Sequence, residues 1–248
     1  MGDLEPRVDI PARLAKILVP AAAAALFGSH PGLAVFLAAA IDQVIPDRRA
    51  KWIARLFERV GELNAARGYS ALPLAQDDER VWLLEDSIFS AARGTSSDRV
   101  DYIANILANG LTASDARVID RRYLLRLLDE MNDLEVLLLC LYGRESDARA
   151  QEFWEQHKPS LDCEPACLGS PQPVFDREAI RHSYENHLAR LGLLDDRLWF
   201  GVRPGEVPEF DTRGRPQGMR LELSPLGRLV LREIGQPSDL DLPSDSQQ

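Results

Sequence analysis

Asp176-Arg177-Glu178-Ala179-Ile180, running on to His187-Leu188-Ala189-Arg190-Leu191-Gly192, opens the stretch whose reading decides the fold. The run as far as Leu191 is helical in character, and Gly192 stops it. Two apolar, β-prone pieces follow, Leu198-Trp199-Phe200-Gly201-Val202 and Met219-Arg220-Leu221-Glu222-Leu223, joined by a long loop rich in Pro and Gly. The chain then turns through Ser224-Pro225 into a last helix, Leu226 to Ile234. Ser224 is placed to cap that helix. Pro225 suits its first turn, where the missing amide would have no intrahelical partner. Gly227 reads as a small residue kept for close packing.

Helix, hairpin and closing helix form the back half of a winged-helix domain. Leu134–Tyr142 supplies its first helix, Ala148–His157 a short second and Arg177–Leu191 the third. In a DNA-reading domain of this kind the third helix enters the major groove and the wing touches the backbone. Arg177 and Arg181 on the helix, with Arg203, Arg213, Arg215 and Arg220 on or near the wing, are the candidate nucleic-acid or partner contacts. Charge argues against DNA. Ten arginines and nine acids across Arg177–Gly235 nearly cancel, and the whole chain carries a formal charge of −10. A dedicated DNA reader shows a basic face, and many winged helices bind protein instead.

Upstream, every piece from Asp47 to Gly143 reads as helix. Pro46-Asp47 opens the first, with Asp47 as its expected cap and Trp52, Ile53, Leu56, Phe57, Val60 and Leu63 at helical spacing. Arg55-Glu58 and Arg59-Glu62 make favourable pairs on its outer face, and Gly68 ends it with a left-handed cap. A second helix, Asp78 to Arg93, places Val81, Trp82, Leu84, Ile88, Phe89 and Ala92 at its apolar positions. Ser96-Ser97-Asp98 offers caps for a third, with Val100, Ile103, Ile106, Leu107 and Leu111 on one side. A fourth, from Thr112–Asp115, carries Val118, Ile119, Tyr123, Leu124, Leu127, Leu128 and Met131. Asn132 and Glu135 have capping-box spacing ahead of the nearly continuous apolar run Leu134–Leu141, which is expected to be deeply buried. The fold class is therefore mainly α: a helical bundle with a C-terminal winged-helix-like domain carrying one small β-hairpin. The expected divisions are an apolar N-terminal helical hairpin over 1–46, the bundle over 47–131, the winged-helix-like domain over 132–235 with an irregular insert at 144–175, and a disordered acidic tail over 236–248.

Ile17 to Ile41 contains no Asp, Glu, Lys or Arg. That length matches a bilayer span, but Pro20 and the cluster Gly28-Ser29-His30-Pro31-Gly32 divide the run into Ala21–Phe27 and Leu33–Ile41. A buried helix-turn-helix is the expectation, and a re-entrant hairpin or a segment that inserts on activation is the alternative. In the functional reading the run packs on a partner, self-associates or meets a membrane. The start, Met-Gly-Asp-Leu-Glu-Pro, lacks the basic patch of a signal peptide. Three cysteines, Cys140, Cys163 and Cys167, give no disulfide framework. The expected location is the cytoplasm, with a peripheral inner-membrane association through the apolar run.

His157, Cys163 and Cys167 are spaced irregularly for a metal and lack a fourth ligand, so no metal is expected. No phosphate loop, dinucleotide fingerprint, nucleophile elbow or metalloprotease motif occurs. His30, His157, His182 and His187 are scattered. The chain reads as non-enzymatic and without a cofactor.

The Asn132-Asp133-Leu134-Glu135 segment, together with Leu188-Ala189-Arg190-Leu191-Gly192-Leu193 and Leu223-Ser224-Pro225-Leu226-Gly227, resembles the abortive-infection alpha-type family of bacterial helical proteins over Ala50 to Ile234. That resemblance implies a role in phage defence, at or near the membrane, and brings no catalytic residue with it. The expected function is that of an interaction protein acting through a protein-binding winged helix and an apolar N-terminal hairpin. The alternative is a DNA-binding transcriptional regulator.

Overall fold

Apolar residues three and four apart bury one face of each N-terminal helix, and the computed structural model assembles those faces into a bundle. It describes residues 47–68, 78–113, 115–144, 147–198, 219–236 and 238. The Ile17–Ile41 run, the loop between the two strands and the tail beyond 238 lie outside the described residues, so the expectations for them are not addressed by it. Among the described residues are eight helices and one antiparallel two-stranded hairpin. None of those helices is long and apolar enough to cross a membrane. The chain divides into two compact units, Met1–Asp129 and Glu130–Gln248.

In the first unit, α1 (Asp47–Ala66) buries Ala50, Ile53, Leu56, Phe57 and Val60. Its outer face carries the expected pairs Arg55–Glu58 at 3.4 Å and Arg59–Glu62 at 2.7 Å. Gly68 has φ +79°, the left-handed conformation that ends the helix. Helix α2 (Asp78–Ala92) has Asp78 and Glu79 in its first turn, where acids favour the helix dipole. Helix α3 (Ser97–Leu111) is capped by Ser96, which accepts from the Arg99 amide at 3.2 Å. The three pack on one another. Arg55 joins α1 to α3 by a two-point contact with Asp101, both bonds 3.0 Å. The Asp101 bond is the main reason the Arg55 pKa is raised, with burial opposing it.

Helix α4 (Asp115–Glu130) buries Val118, Leu124, Leu125, Leu127 and Leu128. Its polar side chains tie it to the bundle. Arg122 donates to Asp86 at 3.1 Å and Glu79 at 3.2 Å on α2. Asp129 accepts from Ser90 and from Arg93, and Arg99 donates to the Leu128 carbonyl. Four apolar positions expected in the core, Trp82, Phe89, Ile119 and Tyr123, are instead exposed. Leu83, one residue off the expected α2 stripe, is fully buried against Gly110 of α3. The close α2–α3 approach at that glycine rotates the buried face of α2 toward Leu83 and Leu84.

In the second unit, α5 (Asp133–Tyr142) starts at the expected capping box. Asn132 accepts from the Glu135 amide at 2.9 Å, and Glu135 accepts from the Asn132 amide at 2.7 Å. Val136, Leu138, Leu139 and Cys140 are buried, but Leu134, Leu137 and Leu141 are only half-buried. A ten-residue helix cannot turn every side toward a neighbour in so small a unit. Helix α6 (Asp147–Leu161) runs four residues past the expected end. It carries Pro159 in its last turn, where burial of Leu161 holds the chain in place. Helix α7 (Gln172–Arg190) begins four residues earlier than expected, because Pro171 and Pro173 act as starters rather than breakers. Within the expected broken link over 144–175, α6 and α7 take up 147–161 and 172–175, and the described non-helical residues are 144 and 162–171.

Leu191 caps α7, and Gly192, at φ +73°, turns the chain into β1 (Leu194–Leu198). β1 pairs with β2 (Met219–Leu223) from Leu194↔Leu223 to Leu198↔Met219. The first strand therefore starts four residues before the expected Leu198–Val202 piece, of which residues 199–202 lie outside the described residues. The cause is local: Ser224 donates its amide to the Leu193 carbonyl at 3.1 Å and its hydroxyl to the Gly192 carbonyl at 2.6 Å. Those bonds set the register immediately after the turn. Ser224 also accepts from the Gly227 amide at 2.9 Å, capping α8 (Pro225–Glu233) as expected.

Candidate functional site

Helix α7 buries only Leu188 completely, and its inward face is otherwise polar. Glu185 is the centre of that face. Its carboxylate accepts from Tyr142 Oη at 3.2 Å and from Arg181 Nε at 3.1 Å, and lies 3.2 Å from His182 Nδ1. Arg181 also donates to the Leu161 carbonyl at 3.0 Å, closing the end of α6 onto α7. Two residues farther along, His187 Nδ1 lies 2.7 Å from the buried Glu135 carboxylate at the head of α5. Both carboxylates hold partners on neighbouring helices, and that arrangement clamps α7 to α5 and α6.

Beside the clamp, α5, α6 and α7 enclose a groove of about 630 Å³. Leu134, Leu138, Leu161, Ile180 and Tyr184 give it an apolar lining. Lys158, Arg177 and Arg181 bring positive charge, Glu155 and Asp162 negative, and Cys163 also lines it. Ile180 is 51% exposed, so the groove has an apolar edge open to solvent. Phe175, on the first turns of the same helix, is exposed as well.

Of the six arginines singled out in the sequence, the structure brings Arg177 and Arg181 together, on the groove side of α7. Arg220 lies on β2 opposite Arg197. Arg203, Arg213 and Arg215 lie outside the described residues. Lys158, Tyr184, Leu134 and Leu138 join the site without having been picked out for it. The spacing Arg177, Ile180, Arg181, Tyr184 marks one side of a helix and was readable, whereas the facing residues of α5 and α6 were not.

Cys140 is buried, and burial pushes its thiol up to about 12, with the nearby Arg144 charge opposing the shift. It is held as an unreactive thiol. His157 stacks near Phe153 at 4.4 Å, and Cys167 Sγ lies 3.3 Å from Ser170 Oγ. Among the described residues no group of three or more His, Cys, Asp or Glu side chains is placed to hold a metal ion. Comparison with protein-family models, curated proteins and solved structures finds no match.

Proposed function

We propose that the chain is a non-enzymatic bacterial interaction protein. In this reading its second unit is a winged-helix-like module that binds protein, and its apolar N-terminal run packs on a partner or a membrane. The observation that carries the reading is the groove along α7. An apolar lining with charges of both signs suits the side chains of a polypeptide better than the uniform negative charge of a duplex. The order of three helices, a hairpin and a closing helix supports the winged-helix assignment. The resemblance to abortive-infection alpha-type proteins extends the proposal to phage defence, in the cytoplasm or at the inner face of the membrane.

Two measurements test it. Fractionation of the full chain and of a chain lacking residues 1–46 should show different association or membrane pelleting; identical behaviour counts against a role for the run. Arg177→Glu with Ile180→Glu, both solvent-facing, should abolish capture of the protein partner while leaving the melting curve in place. The second reading, duplex binding, is favoured by the exposed Arg177 on α7. It requires that Arg213→Glu and Arg215→Glu weaken DNA binding with a steep salt dependence. No binding to duplex DNA at low salt ends that reading.

A further inference from the structure

The first unit leaves four large apolar side chains exposed on two helices that Arg122 joins. On α2, Trp82 is 43% and Phe89 41% exposed, two turns apart on one stripe. On α4, Ile119 is 58% and Tyr123 52% exposed, one turn apart. Arg122 locks the two stripes side by side. It follows Ile119 by three residues, donates to Asp86 and Glu79 on α2, and lies over the Trp82 ring at 5.3 Å. Arg122 has two acids on it already, and Trp82, Phe89, Ile119 and Tyr123 are left without apolar cover.

The chain contains a segment with the complementary demand. Ile17–Ile41 is free of Asp, Glu, Lys and Arg, and ends six residues before α1 begins at Asp47. Six residues reach at most about 20 Å, roughly two interhelical spacings, and α1 packs directly against α2. The run is therefore tethered within reach of these side chains. Its halves, divided at Gly28–Gly32, are each well below the roughly 20 residues a membrane-spanning helix needs.

We propose that the α2–α4 seam is the docking face for the chain's own charge-free run, Ile17–Ile41. The inference rests on the proposed role of that run as an interacting segment, and it names the surface the run occupies at rest.

The test is digestion of the full-length chain with elastase, which cuts after small apolar residues such as the alanines of this run. Cleavage inside residues 17–41 is followed by mass spectrometry. Ile119→Glu with Tyr123→Glu should speed it about tenfold, as expected when large apolar contacts holding a segment closed are lost. Ile119→Leu with Tyr123→Phe should keep it slow. Phe89→Glu, on the other helix, gives an independent reading if the double variant disturbs the fold. Unchanged cleavage in the glutamate variants, with circular dichroism and melting intact, overturns the proposal. So does protection that disappears on dilution, which would assign the run to a second copy, or protection seen only with phosphatidylglycerol-containing vesicles, which would assign it to a bilayer. If removal of residues 1–46 alters association while the seam variants leave cleavage unchanged, the docking face falls and the interacting role of the run stands.

Discussion

Gly227 sits where α8 meets the hairpin, and a Cβ there would run into the Leu193 carbonyl oxygen and approach Leu223 Cδ1 to 2.7 Å. A backbone oxygen cannot swing away as a side-chain end can. Gly227→Ala should therefore destabilise the second unit by about 1–3 kcal/mol, read as a shift in its urea midpoint. Cys140 gives a different residue-scale test. With its thiol pushed up to about 12 by burial, it stays protonated in the folded chain while an unfolded thiol ionises near its ordinary value of 9.0. Above that ordinary value the unfolded state binds fewer protons, so stability should fall with rising pH, by at most about 1.4 kcal/mol per pH unit from this group. Alkylation of the native chain near neutral pH should label the exposed Cys167 and the half-buried Cys163, and reach Cys140 only after unfolding. Labelling of Cys140 at the same rate as the other two would contradict its burial.

At the scale of the element, α5 depends on its first turn for both local and tertiary reasons. Asn132 satisfies one free amide and Glu135 another. Asn132→Ala should cost about 1 kcal/mol, the usual loss for a cap. Glu135→Ala should cost more, about 2–3 kcal/mol, because the same buried carboxylate also holds His187 of α7. Paired urea titrations of the two variants separate the cap from the clamp; equal losses would mean that the His187 contact contributes nothing. Helix α7 illustrates the complementary case. Its inward face is built from Arg181, His182 and Glu185, so no strong apolar stripe marks it, and Leu188 alone is fully buried. Its place is set by hydrogen bonds to α5 and α6, while Phe175 and the groove-lining Ile180 stay exposed.

For the molecule as a whole, the two compact units predict two unfolding transitions rather than one. Gly227→Ala should lower only the transition of the second unit. Arg55→Ala, which removes the Asp101 contact between α1 and α3, should lower only the first, by about 0.5–1 kcal/mol for a partly exposed pair. A single transition that moves with both substitutions would show that the units unfold together. Much of this organisation was legible in the residues. Ser96, Asn132 and Ser224 cap where their side chains and spacing place them, Gly68 and Gly192 end helices by adopting positive φ, and Met219–Leu223 is a strand. Each depends on a few neighbouring residues, whose dihedral preferences and hydrogen-bonding groups are written in the sequence itself. What the sequence by itself determined is therefore a mainly helical chain with one small hairpin, and the chemistry of its helix ends. Only the tertiary structure decided that Leu83 is core while Trp82, Phe89, Ile119 and Tyr123 face solvent, that β1 starts at Leu194, and that Arg177 and Arg181 meet Lys158 across a groove. Those outcomes depend on which helices approach closely and on bonds between residues far apart in the chain, and helical periodicity carries no information about either.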